Sequence, residues 1–169
     1  MSYYVLIRGP LGVGKTTIAQ AVAKQLHAAY IALDAVMVEH KLDLVPKDEP
    51  CIPAEQFRKA QAIMLPHIRT ALKTKPVVID GCFYHKENID ELIGEMPVPG
   101  YVFTLTAPVD ACIARDTARK NGYGEDAARA VHMLVNRFEY GKNIDATQPV
   151  QTIVQDIVTR CCSPEERNV

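Results

Sequence analysis

The chain has 169 residues, 48% hydrophobic and 23% charged, with 19 basic and 20 acidic side chains and a net charge of −1. That suits one domain around one core, spanning 1–169, and leaves no electrostatic footprint for duplex nucleic acid or an anionic membrane. Five cysteines, odd in number and without a C-x-x-C pair, argue against a disulfide framework or a zinc site and point to reduced thiols in a cytoplasm.

In chain order, residues 3–8 are short, apolar and rich in aromatic and β-branched types, which predicts a buried strand. The glycine-bearing stretch GPLGVGKTT follows, and residues 16–28 then place Ile18, Val22 and Leu26 on one helical face. A second strand is expected at 30–33, ending at Asp34. Residues 35–44 are a candidate helix, and the polar, proline-bearing 44–53 a loop. Residues 54–74 have a helical pattern in which Pro66 should force a bend or a division into two pieces.

PVVID at 76–80 and YVFTLT at 101–106 read as the third and fourth strands, with a helix at 86–95 between them. Pro108 suits the first turn of a helix to residue 120, and Pro149 opens a last helix to 161. Between them lie the break NGYG, a helix at 125–138 and a weak fifth strand at 143–145. The tail SPEERNV is expected to fray. Neither a signal peptide nor an apolar run of membrane-spanning length is expected from the sequence. Strands alternating with helices imply right-handed crossovers and a parallel sheet covered on both faces.

Gly9 and Gly14 frame four residues and Lys15-Thr16 follow, matching G-x-x-x-x-G-K-[ST] after a strand and before a helix. Each residue type has a reason. Successive loop amides, including that of Val13, bind phosphate oxygens, and Gly12 and Gly14 permit the dihedrals and close approach. The helix start adds its positive dipole end. Lys15 reaches the β and γ phosphates, Thr16 offers a hydroxyl to Mg²⁺, and Thr17 either bonds the α phosphate or is a solvated helix residue.

Ligands of open α/β sheets bind beyond the carboxyl ends of the strands, where Asp34 and Asp80 fall. Asp80 suits a Mg²⁺ ligand acting through water. Asp34 is either the group that accepts or orients the attacking hydroxyl, or a cap for the next helix. Arg115 and Arg119 share a helix face ahead of NGYG; they either neutralise a transferring phosphoryl group or lie on a solvated face, with Asp116 and Lys120 in surface pairs.

The arrangement resembles the small phosphate-loop kinases: adenylate, shikimate and gluconate kinases and chloramphenicol phosphotransferase. The resemblance rests on the loop, on VVIDGCF, on CIARDTAR and on VHMLVNRFEYGKNIDATQP. It implies a three-layer P-loop fold with a five-stranded parallel sheet in the order 2-3-1-4-5. A short helical lid at about 115–130 and an acceptor region at about 35–60 go with it. It also implies Asp34 as base for an acceptor hydroxyl, lid arginines on phosphate, and Asp145 to Gln148, with Asp145 and Thr147, beside the adenine. The expected activity is ATP-dependent, Mg²⁺-assisted phosphorylation of a small-molecule hydroxyl. A nucleotide or nucleoside kinase, or a nucleotide-binding ATPase switch, stays open as an alternative. Neither N-K-x-D nor D-x-x-G, the GTPase motifs, occurs.

Overall fold

The computed structural model describes residues 2–163; most of the tail, 164–169, lies outside the described residues. Five strands form one parallel sheet in the order β2-β3-β1-β4-β5. They are β1 (Tyr4–Arg8), β2 (Ala29–Ala32), β3 (Val77–Gly81), β4 (Gly100–Thr106) and β5 (Lys142–Asp145). The intervening helices are α1 (Lys15–Gln25), α2 (Leu33–Glu39), α3 (Ala54–Ala71), α4 (Lys86–Gly94), α5 (Val109–Thr117), α6 (Glu125–Val135) and α7 (Val150–Cys161). None is long and apolar enough to cross a membrane.

Strand alternation explains the two cores. Tyr4 and Leu6, with Val77, Ile79 and Val102, bury one face of the sheet against α2, α3 and α4. Val5 and Ile7, with Val78, Tyr101 and Phe103, bury the other against α1 and α7. The same alternation turns Asp80 toward the α1 face.

It turns Arg8 into the first core, where the side chain is fully buried. Among the described residues Arg8 has no carboxylate partner. Its guanidinium donates to the Thr104 hydroxyl at 3.3 Å and to the Val135 carbonyl at 2.7 Å, and lies 4.4 Å from the centre of the Phe138 ring. The Val135 carbonyl closes α6, so the charge meets the negative end of a helix dipole and an aromatic face. Burial still pulls Arg8 down to about 10. An apolar side chain of similar length should therefore fit almost as well. Arg8→Met is expected to cost under about 1.5 kcal/mol, whereas Arg8→Ala, which opens a void, should cost about 3 kcal/mol in urea unfolding.

Of the two outcomes expected at Pro66, division does not occur: Pro66 sits inside a single helix, α3. The residue one turn earlier, Ala62, whose carbonyl loses a partner, is exposed like Pro66 itself, so water can bond it, while Phe57, Ala60, Met64 and Ile68 hold the buried face. Asp34 is not at a strand end but in the first turn of α2, which starts at Leu33. Pro108 and Pro149 stand one residue ahead of α5 and α7, as N-caps.

Candidate active site

The loop between β1 and α1 is shaped by two glycines. Gly12 has φ +74°, and a Cβ there would lie 2.0 Å from the Cys112 carbonyl oxygen. Gly14, with φ +102°, caps α1 in the left-handed region. Gly9 leaves β1 with no room for a Cβ beside Val13 and Leu105, and Val13 is buried. The first turn of α1 thus points its free amides into the space above the sheet.

Lys15 opens α1 and is almost fully buried, its ammonium 3.0 Å from the Pro10 carbonyl. Burial alone would lower its pKa, but Cys82, Asp34 and Asp80 outweigh that and hold the ammonium above its usual range. Thr16 donates to Asp80 at 3.1 Å, and the Tyr30 hydroxyl donates to the other Asp80 oxygen at 3.0 Å. Burial raises the Asp80 pKa and Asp34 adds to it, while Tyr30, Lys15 and Thr16 work against them. Thr17, next along, is exposed.

Asp34 is oriented by the end of β3. It accepts the Cys82 amide at 3.2 Å and the Cys82 thiol at 3.5 Å. That thiol is pushed up to about 12 by burial and by Asp34, so it stays protonated and donates.

Asp34, Lys15 and Thr16 line a cavity of about 310 Å³. Its walls come from α2 and α3 (Met37, Phe57), from the loop before α3 (Asp43, Val45, Pro50, Cys51, Ile52) and from the chain after β3 (Cys82, Tyr84). Arg119, Tyr123 and one face of α6, including Val131 and Leu134, close it. The loop is pinned from below: the Ile52 amide donates to the Tyr84 hydroxyl at 3.2 Å, and the Ile52 carbonyl lies 2.8 Å from His85 Nε2.

Arg115 and Arg119 go to different places. Arg119 lines the cavity. Arg115 reaches the carbonyls of Val13 at 3.3 Å and Ala146 at 3.4 Å, tying the phosphate-type loop to the turn after β5. In that turn Asp145 accepts the Thr147 amide at 2.9 Å and its hydroxyl at 2.6 Å, and Gln148 at 3.3 Å. These bonds hold the Asp145 carboxyl below its usual range. Asp145 and Thr147 do not line the cavity; Asp145 ends the edge strand β5 and Thr147 follows it, on the opposite side of β1 from β2 and β3.

Asp116 resolves differently from its surface-pair reading, whereas Arg58 and His132 stay outside the cavity. Asp116 is fully buried, and one of its oxygens accepts the amides of Tyr123 and Gly124 at 2.8 and 3.0 Å. It braces the turn between α5 and α6 rather than forming a surface pair. Arg58 pairs with Glu91 at 2.8 Å on an exposed face, away from the cavity. His132 bonds the Ala107 carbonyl at 2.9 Å, as a satisfied helix histidine. Tyr30, Cys82, Asp43 and Tyr123 were not singled out by the sequence as site residues. Only Cys82 and Tyr123 carried a signal, through their neighbours Asp80-Gly81 and NGYG.

The match to known proteins can be set beside this geometry. A family described as an AAA domain, AAA_33, matches residues 5–139. The chain belongs to this family. Its phosphate-type loop, both acids and both arginines fall within the matched residues of that AAA domain. No curated protein sequence matches the chain. Among solved structures, the sugar kinase of Janibacter sp. HTCC2649 is similar with TM-score 0.78 and 16% identity over 100% of both chains. The gluconokinase of Sinorhizobium meliloti 1021 has TM-score 0.71 and 16% identity, over 93% of this chain and 90% of its own. Shikimate kinase of Acinetobacter baumannii, in complex with shikimate, has TM-score 0.64 and 18% identity over 96% and 94%. The fold of this AAA domain is that of the small P-loop kinases.

Proposed function

We propose that this AAA domain is an ATP-dependent kinase that moves the γ-phosphoryl group to a hydroxyl of a small molecule, with Mg²⁺. One observation carries the reading most: Lys15, Thr16 and Asp34 line one cavity at the carboxyl ends of the central strands, and Asp80 bonds Thr16 beside it.

The triphosphate would lie on the amides of Gly12, Val13, Gly14 and Lys15, with Gly9 giving the loop its entry and Thr17 near the α phosphate. Asp145 and Thr147 would border the base, on the β5 side. Thr16 and Asp80 fit Mg²⁺: two oxygen donors 3.1 Å apart suit a cation that keeps most of its waters and takes the rest of its shell from phosphate. Bound there, Mg²⁺ supplies neutralisation of charge on the phosphate oxygens.

The acceptor hydroxyl would sit against Asp34. As its oxygen bonds to the γ phosphorus, its O–H bond breaks and Asp34 takes the proton. The bond from phosphorus to the β,γ-bridging oxygen breaks and ADP leaves. Lys15 and Arg119 offset the charge on the moving group, and Arg115 keeps the two nucleotide loops in register. The turn braced by Asp116 forms a lid over the reaction, which keeps water from competing.

ADP release measured with a panel of hydroxyl compounds tests the reading. The expected result is turnover that depends on acceptor. Equal ATP hydrolysis with and without every acceptor would mean a nucleotide switch instead.

A further inference from the structure

The chemistry of the cavity narrows the acceptor, on the strength of the kinase reading above. Two cations line it, Lys15 and Arg119, and both face phosphate in that reading. The neighbouring arginines are committed elsewhere. Arg58 holds Glu91 with two nitrogens at 2.8 to 3.0 Å, Arg115 holds two loop carbonyls, and Arg8 is buried beneath on Thr104 and Val135. Arg137 acts electrostatically on Cys51 but does not line the cavity.

What is left for an acceptor is acidic and apolar. Asp34 and Asp43 both line the cavity. The Asp43 carboxylate makes no hydrogen bond or ion pair among the described residues. Tyr123 lines the same cavity, and burial, then Asp34 and Asp43, push its phenol up. The walls are Phe57, Tyr84, Met37, Val131 and Leu134. At the rim, Val45 is 53% and Tyr123 57% exposed, large apolar groups that an apolar occupant would cover.

We infer that the acceptor is an apolar-bodied alcohol with no anionic group, neutral or cationic. Its body lies among Phe57, Tyr84 and Leu134, its reacting hydroxyl at Asp34, and a second hydroxyl or ammonium donor at Asp43. An acid or a phosphate would stand between two carboxylates with no cation of its own, so sugar acids and nucleotides are excluded as acceptors.

Three aryl alcohols of similar size separate the charges: 2-phenylpropane-1,3-diol (neutral), phenylalaninol (cationic) and 3-hydroxy-2-phenylpropanoate (anionic). Calorimetry on the full chain, with Mg²⁺ and β,γ-methylene-ATP already bound, reads their affinities alongside shikimate and gluconate. The expected result is that the diol or phenylalaninol binds at least tenfold more tightly than all three anions. Asp43→Arg should shrink the gap to the aryl anion to below threefold. Equal or tighter binding of any anion overturns the inference, and so does absence of binding by both the diol and phenylalaninol. The nucleotide titration that precedes the alcohols keeps the parent reading separate. Failure there sinks the kinase proposal, whereas nucleotide binding with an anion preference sinks only the acceptor class.

Discussion

Lys15→Ala is expected to cut phosphoryl transfer by about a thousandfold or more while leaving the protein folded. The ammonium is almost fully buried at the first turn of α1, and Asp34 and Asp80 hold it charged. No other cation stands in the loop, so nothing replaces it opposite the β and γ phosphates. Removing it also takes away one of the groups that work against the raised proton affinity of Asp80. Lys15 gives the loop one bond, to the Pro10 carbonyl, but other contacts hold it as well: Gly12 packs against Cys112 and Arg115 holds Val13. Circular dichroism and a melting curve should therefore match the wild type within a few degrees. Transfer at the wild-type rate by this variant would remove the phosphate role of the loop.

Asp34→Asn should lower kcat by about a hundredfold to ten-thousandfold, with nucleotide affinity changed less than about threefold. The substitution is chosen for what it keeps. An asparagine oxygen still accepts the Cys82 amide, now 3.2 Å away, so the side chain stays in place. It cannot take a proton from the acceptor. Steady-state kinetics together with nucleotide titration decide the matter. Equal losses in rate and in nucleotide affinity would make Asp34 a support for nucleotide binding rather than the base.

The strands were legible because they depend on short-range signals, whereas their order in the sheet came from the resemblance to the small phosphate-loop kinases. Runs such as PVVID and YVFTLT admit few alternatives to buried strands, and the glycine loop fixes where the first strand must stop. Asp80 was legible for the same reason: it ends a strand next to the loop, and period-two alternation turns it toward Thr16. Element boundaries blurred where capping was weak, as at Asp34, where no side chain caps α2.

The acceptor side was not legible. The end of the loop before α3 is held by groups 32 to 34 residues later in the chain, Tyr84 and His85 on Ile52 and Asn88 on Ala54. No local pattern encodes such contacts. The partners of Arg8 were not legible either: the sequence places it in a buried strand, and only the register with Thr104 and the end of α6 shows where its charge goes. Asp116 read as a surface acid because its partners are the amides of a turn seven and eight residues on.

The central claim is that the main chain from Gly9 to Thr16 clasps a triphosphate. Titrating the wild-type chain with ATP in the presence of Mg²⁺, by calorimetry and by melting, tests it most directly. The account predicts saturable one-to-one binding, a raised melting temperature, and loss of both in Lys15→Ala. No heat and no shift in melting with wild-type protein would contradict it.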